Sequence, residues 1–348
     1  MLKRLKCIVL QASKTLGVLS LISNSRWRRQ RLLILAYHGF SQEDEHLWNP
    51  ELFMRADHFR DRMALLERSG CNVLPLADAL ERLCADDLPE RSVVLTFDDG
   101  FYNFYSHAFP ILRDHNFPAT LYLTTYYCFY NKPVFDVTCG YIIWKGRGRI
   151  IDGRDLIGQS GMFDLSSEPG RVAAVREIRT FARRTNLSAE EKDALIATLA
   201  DRLNVDYEAI LSKRILHLLN PAEVVELAAQ GVDFQLHTHR HRTPFERQLF
   251  LREIEDNKRA LEKIASSPAS HFCYPSGIYD VKFLPWLKES GIASATTCDP
   301  GLTTSKTDQL LLPRLVDTSL FSPIEFEGWL SGISSILPRR TAVMEEVS

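Results

Sequence analysis

An α/β chain wound around a parallel sheet is the fold class the sequence predicts, and three observations carry it. Short apolar runs alternate with longer stretches whose apolar residues recur at helical spacing. No hairpin signal separates one run from the next, so the runs must be joined by crossovers and lie parallel. The residues best able to do chemistry, namely His38, Asp98, Asp99, His237, His241, Ser276 and Arg314, all fall where a run ends. That is where α/β barrels gather their sites.

The elements follow in order. Residues 32–36 form an apolar strand running into Tyr37-His38-Gly39. Phe59, Met63, Leu65 and Leu66 mark an amphipathic helix closed by Gly70, residues 72–74 a second strand and 76–83 a second helix. A strand at 93–97, a helix over 102–115 and a strand at 119–124 come next. Between Thr125 and Pro221 the alternation breaks. Residues 126–161 are aromatic and Gly-rich, with Tyr126, Tyr127, Phe129, Tyr130, Tyr141 and Trp144 suited either to stacking on sugar faces or to a local core. Helices are expected over 169–184 and 188–203, the second opening on Ser188 and Glu191 at capping-box spacing. Alternation resumes with a helix at 221–230, a strand at 232–236, a helix at 245–266, a strand at 271–274, a helix at 281–290 and a strand at 293–297. A last strand is expected at 310–312, leading into Pro313-Arg314. Seven or eight parallel strands imply a closed but irregular α/β barrel.

Hydrophobic residues make up 45% of the 348 and charged residues 25%, as in a globular protein with a substantial core. The net charge of −2 gives no reason to expect nucleic acid as a partner. Residues 1–32 nevertheless carry eight Lys and Arg and no acid. Their apolar runs, 7–10 and 16–22, are interrupted by Gln11, Ser13 and Lys14 and fall short of the roughly 20 residues of a membrane span. Ser23-Asn24-Ser25 leads straight into Trp27-Arg28-Arg29, which makes a poor cleavage site. The segment reads as a basic amphipathic helix on an anionic membrane surface, or equally as a packed basic helix. Seven cysteines, an odd number without CxxC pairing, read as reduced thiols. The expected location is therefore cytoplasmic, either free or peripheral to the inner face of the membrane, with export disfavoured.

The chemistry centres on residues 93–100, Val-Val-Leu-Thr-Phe-Asp-Asp-Gly. Adjacent carboxylates at the end of a buried strand repel and are poorly solvated, so a bound cation is expected unless the pair is an exposed turn. The strand at 232–236 runs into His237-Thr238-His239-Arg240-His241. His237 and His241, four apart, can share a face, and with one carboxylate they form a set suited to zinc or a similar divalent ion. A cluster of surface histidines is the alternative.

Thr96-Phe97-Asp98-Asp99-Gly100 followed by His237-Thr238-x-x-His241 resembles the first two motifs of the polysaccharide deacetylase family, also called the NodB-homology or carbohydrate esterase 4 family. The family's third motif, Arg-x-Pro-aromatic-Gly, is partly matched by Cys273-Tyr274-Pro275-Ser276-Gly277, and the similarity runs from about Leu33 to Asp317. It implies a distorted (β/α)7 barrel over 33–320, with an unusually long, largely helical insertion at about 126–220, a basic segment at 1–32 and a C-terminal helix and tail at 321–348. It also implies metal-dependent removal of N-acetyl groups from a sugar in a saccharide, and the basic N-terminus beside the reduced-thiol pattern adds a lipid-linked glycan as an expected substrate. By that resemblance Asp98 is the general base, and Asp99, His237 and His241 hold one divalent ion, Zn²⁺ first and Co²⁺, Ni²⁺ or Mn²⁺ otherwise. The backbone N–H of Ser276 faces the oxyanion, and Tyr274 and Pro275 touch substrate.

Two departures stand out. The family's third-motif Arg aligns with Cys273, and Arg314 is the candidate to replace its charge. The family's late Leu-His motif has no counterpart, since no histidine follows His271. His38 is then the first candidate for the acid, ahead of His239 or a proton returned by Asp98. Hydrolysis of a non-sugar or cyclic amide, and a catalytically silent carbohydrate-binding protein, are the competing readings.

Overall fold

The computed structural model describes residues 2–158, 161–265 and 268–337; the end of the tail expected at 321–348 lies outside these described residues. Seven parallel strands form one curled sheet: β1 (Leu33–Tyr37), β2 (Ser92–Asp99), β3 (Thr120–Leu123), β4 (Asp233–Leu236), β5 (His271–Cys273), β6 (Ser294–Thr296) and β7 (Leu315–Val316). They run in the spatial order β6-β5-β4-β3-β2-β1-β7, and the short strand Asn72–Val73 pairs with the start of β2. A single parallel bridge between Thr296 and Leu312 joins the two ends of the path, because the segment that bridges β6 at Leu312 goes on to pair with β1 at Leu315. The expected distorted (β/α)7 barrel is thus present, closed by a thin seam. The last strand lies at Leu315–Val316 rather than at 310–312, so Arg314 precedes it instead of following it.

Alternation along each strand sorts the core into two clusters. Leu33, Leu35, Val93, Leu95, Phe97, Leu121, Leu123, Phe234 and Phe272 pack under the surrounding helices. Ile34, Val94, Tyr122, Cys273 and Leu312 form a second cluster with Leu76, Ala79, Leu80 and Leu83 of the helix Leu76–Cys84. That helix plugs the end of the barrel opposite the strand C-termini. Thr96 and Asp98 share the inward parity of Val94, so Asp98 is aimed into the lumen above this plug.

The segment 126–220 has a core of its own, in which Phe135, Ile142, Ile178 and Leu199 are buried together. Its helices include Phe135–Lys145, Glu168–Arg184 and Ala189–Arg202, the last with the full capping box of Ser188 and Glu191. An antiparallel hairpin that was not expected pairs Ile150–Asp152 with Met162–Asp164. The return of this segment is stitched to the chain just past Asp99: Leu219 N–H donates to the Gly100 carbonyl and Tyr102 N–H to that of His217, both at 2.8 Å.

At the N-terminus, α1 (Leu2–Thr15) and α2 (Val18–Ser23) pack on α3 (Pro323–Ser331), whose first turn is capped by Ser322 and Glu325. Arg28 is buried beneath them and donates to the carbonyls of Leu330, Arg31 and Ser92.

Candidate active site

Asp98 and Asp99 are neighbours in sequence and lie in different surroundings. Asp98 keeps extended geometry and points into the lumen. Asp99 has φ 67°, which turns its carboxylate away from its neighbour's. Gly100 completes the turn with φ 86°, and a Cβ there would stand 2.2 Å from Leu123 Cδ1, so any other residue would be strained and would push the Leu123 side chain aside. Thr238 (φ 61°), His241 (φ 53°) and Ser276 (φ 55°) are also left-handed. Such conformations cost of order 1 kcal/mol or more each in non-glycine residues, and their gathering at one place marks a functional site.

Asp98 is buried and fully engaged. Arg314 Nη1 donates to its Oδ1 and Arg314 Nη2 to its Oδ2, both at 2.7 Å, while Arg314 Nη1 also donates to Thr96 Oγ1 and Nε to the Thr297 carbonyl. Burial pushes the Asp98 carboxyl up, but the Arg314 guanidinium outweighs it and holds the group down at about 2. His38 Nε2 lies 3.7 Å from Asp98 Oδ2 and is partly exposed, between the carboxylate and solvent. Cys273, at the place of the family's third-motif Arg, sits 3.0 Å from Arg314 Nη2, and burial pushes its thiol well up. The guanidinium that the third motif lacks therefore reaches Asp98 from residue 314.

Asp99 Oδ1 faces His237 Nε2 at 3.2 Å and His241 Nε2 at 3.1 Å. It is buried and accepts no hydrogen bond. His237 Nδ1 donates to the Cys273 carbonyl at 2.9 Å, which leaves the lone pair of its Nε2 for another partner. Three donor atoms within 4.8 Å of one another, one carboxylate and two imidazoles, around an oxygen that lacks a hydrogen bond, fit a divalent cation. Asp98, His237 and Cys273 also converge. That set fits less well, because the Asp98 oxygens are taken by Arg314 and the thiol is held protonated.

The helix Arg247–Ile264 supports the histidine loop in a way the sequence did not signal. Asn257, fully buried, accepts from His237 N–H at 2.9 Å and donates to the Leu123 carbonyl at 3.0 Å and Thr125 Oγ1 at 2.9 Å. Glu253, one turn earlier and also buried, accepts from Arg240 N–H, Arg240 Nη1 and Arg242 Nε. One helical face thus fixes both ends of the loop, and the only sequence trace is a Glu and an Asn on an otherwise apolar face.

Other expected residues lie elsewhere. Tyr274 is fully buried, its hydroxyl donating to the Leu310 carbonyl, and Pro275 is buried beside it, so neither presents a face to substrate as expected. The neighbouring barrel core claims the Tyr274 ring. His239 turns away from His237 and His241, with its Nδ1 2.8 Å from Thr125 Oγ1. Ser276 stands exposed in the turn after β5. Of the insertion's aromatics, Tyr126 touches the site loop, meeting the His239 ring edge-on and donating its N–H to the His239 carbonyl at 2.8 Å. Tyr141 instead belongs to the insertion's core.

The family model described as Polysaccharide deacetylase matches residues 85–136 and 191–295, which include both carboxylates, both histidines and Ser276. Over 101 residues, 29% of this chain, the sequence is 33% identical to poly-β-1,6-N-acetyl-D-glucosamine N-deacetylase of Escherichia coli K12, but this covers 15% of that protein's length. Among solved structures, the fold is similar to Streptococcus pyogenes deacetylase PplD in complex with acetate, with a TM-score of 0.56 and 19% identity over 88% of this chain and 99% of that one. It is also similar to IcaB from Ammonifex degensii, with a TM-score of 0.53 and 15% identity over 87% and 97%. In its matched motifs and in its fold, the chain is similar to the polysaccharide deacetylase family.

Proposed function

We propose that the protein hydrolyses the N-acetyl group of an amino sugar within a saccharide or lipid-linked glycan, releasing acetate and a free amine. The observation that carries this reading is the division of labour between adjacent carboxylates, one paired with Arg314 and one facing two imidazoles. The name of the Escherichia coli relative supports an N-acetylated hexosamine as the sugar.

Asp99, His237 and His241 would hold one divalent ion, zinc first by its donor set, and that ion would acidify a water and polarise the amide carbonyl. Asp98 takes the proton of the attacking water. The ion pair with Arg314 keeps it ionised and oriented, though it also makes it a weak base, so Asp98 depends on a water more acidic than bulk. The Ser276 N–H is assigned to the tetrahedral oxyanion. His38, within reach of Asp98 Oδ2 and of solvent, returns a proton to the leaving amine.

The test is acetate release from a series of N-acetylglucosamine oligosaccharides, by protein stripped of metal and by the same protein given Zn²⁺. Release restored by Zn²⁺ and abolished in Asp98→Asn is expected. If no saccharide yields acetate while the chain still binds one Zn²⁺, the sugar reading is wrong and another amide becomes the substrate.

A further inference from the structure

Helix α1 has two apolar faces, and the fold uses one of them. Leu10 is buried against the body, Lys3 Nζ donates to the Leu320 carbonyl at 2.8 Å, and Lys14 pairs with Glu327 at 2.6 Å. Roughly half a turn away, at helical spacings of three and four, Leu5, Ile8, Val9, Ala12 and Leu16 form a stripe open to solvent. Leu5 is 57% exposed, Ile8 65% and Leu16 76%, and Leu21 of α2 is exposed too. A lone exposed leucine needs no explanation, but an apolar stripe in register on a helix that already has its packing partner does.

Charge selects the partner. The segment 1–32 has no acid among its eight basic residues. Lys14 and Arg29 are paired with Glu327 and Glu90, and Arg28 is buried, but Lys3 and Arg4 stand exposed at the start of the stripe. An apolar face beside a positive margin suits an anionic lipid surface, where the side chains enter the acyl boundary and the cations meet headgroups. Among the described residues no helix is long and apolar enough to cross a membrane, and α1 has only 14 residues, so it would lie along the surface. Its Lys3 end contacts the loop leaving the C-terminal end of β7, the end of the barrel that carries His38, Asp98 and Asp99.

We propose that this face of α1 and α2 seats the protein on an anionic membrane surface, with the rim of the barrel beside the lipid. The test uses the full chain with two kinds of vesicle, phosphatidylcholine alone and phosphatidylcholine mixed with phosphatidylglycerol, and reads the bound fraction by sedimentation. Binding to the mixed vesicles, weaker on phosphatidylcholine alone and weakened by salt, is expected. The double substitution Ile8→Ser with Leu16→Ser should lower the partition coefficient by at least about tenfold. It should leave thermal unfolding unchanged, because both side chains already face water. Wild-type protein that stays in solution, or a double variant that binds as well, would overturn the proposal. So would a concentration-dependent dimer in light scattering that the same substitutions abolish, which would give the face to a second copy of the chain.

Discussion

Arg314 and Asp98, 216 residues apart, are joined by two parallel N–H···O bonds of 2.7 Å inside the barrel. The guanidinium comes from the start of the last strand, where the chain crosses the seam that closes the sheet. Neither group touches solvent appreciably, so each depends on the other for its charge. Loss of either partner leaves an uncompensated buried ion.

Arg314→Met should therefore cost both stability and rate. Without the guanidinium, burial pushes the Asp98 carboxyl up with only the weaker pull of His38 and His237 against it. We expect a loss of about 3 kcal/mol or more in denaturant unfolding and at least about a hundredfold fall in kcat. The pH sign follows from the depressed value. The Asp98 carboxyl is held at about 2, below about 3.9 in the unfolded chain, so metal-free wild type has this contribution in full above about pH 4 and loses it as pH falls through 2. Acid unfolding curves of wild type and Arg314→Met should accordingly converge toward pH 2. Curves that stay parallel would mean the pair contributes nothing through ionisation.

His38 is the partly exposed imidazole next to Asp98, 3.7 Å from its Oδ2. If it protonates the leaving amine, His38→Gln should lower kcat by about 10²-fold and remove the alkaline limb of the kcat profile, where the acid is lost. KM should change little. An unchanged alkaline limb would return the role to Asp98.

Asn257 acts through the histidine loop rather than on substrate, since it accepts the His237 N–H and orders Thr125. Asn257→Leu leaves those groups buried without partners and lets His237 drift. Zn²⁺ affinity, read by competition with a chromophoric chelator, should fall about 10–100-fold. Circular dichroism should still report the barrel, and saturating Zn²⁺ should recover much of the thermal stability. An unchanged affinity would reduce Asn257 to a packing residue.

The barrel could be read from the chain because alternation, crossover length and strand-end chemistry all point the same way. Asp98, Asp99, His237 and His241 could be found because each sits at a strand end in a short motif. The hairpin at 150–164 escaped because its three-residue strands are joined by a helical turn, with no tight-turn signal between them. Tyr274 was misplaced because a motif position says which strand end a residue occupies, while the neighbouring core decides which way its ring turns. Asn257 was invisible for a related reason. It lies in mid-helix, and its value comes from a bond to His237, 20 residues away in sequence.

The position of the guanidinium offers a stricter test of how the site is built. Cys273 Sγ lies 3.0 Å from Arg314 Nη2 and 3.6 Å from Asp98 Oδ2, so a cation projecting from residue 273 would reach the same carboxylate. Cys273→Arg alone would crowd two guanidinium groups around one carboxylate and should destabilise the fold by about 1–3 kcal/mol through overpacking and like-charge repulsion. Combined with Arg314→Met, the same substitution would supply the missing charge from the other strand. We expect the double variant to recover at least about tenfold of the activity lost in Arg314→Met, and its unfolding free energy to exceed that of either single variant. Energies of the two substitutions that simply add would mean that residues 273 and 314 do not exchange one role, and that Arg314 serves the seam of the barrel more than the carboxylate.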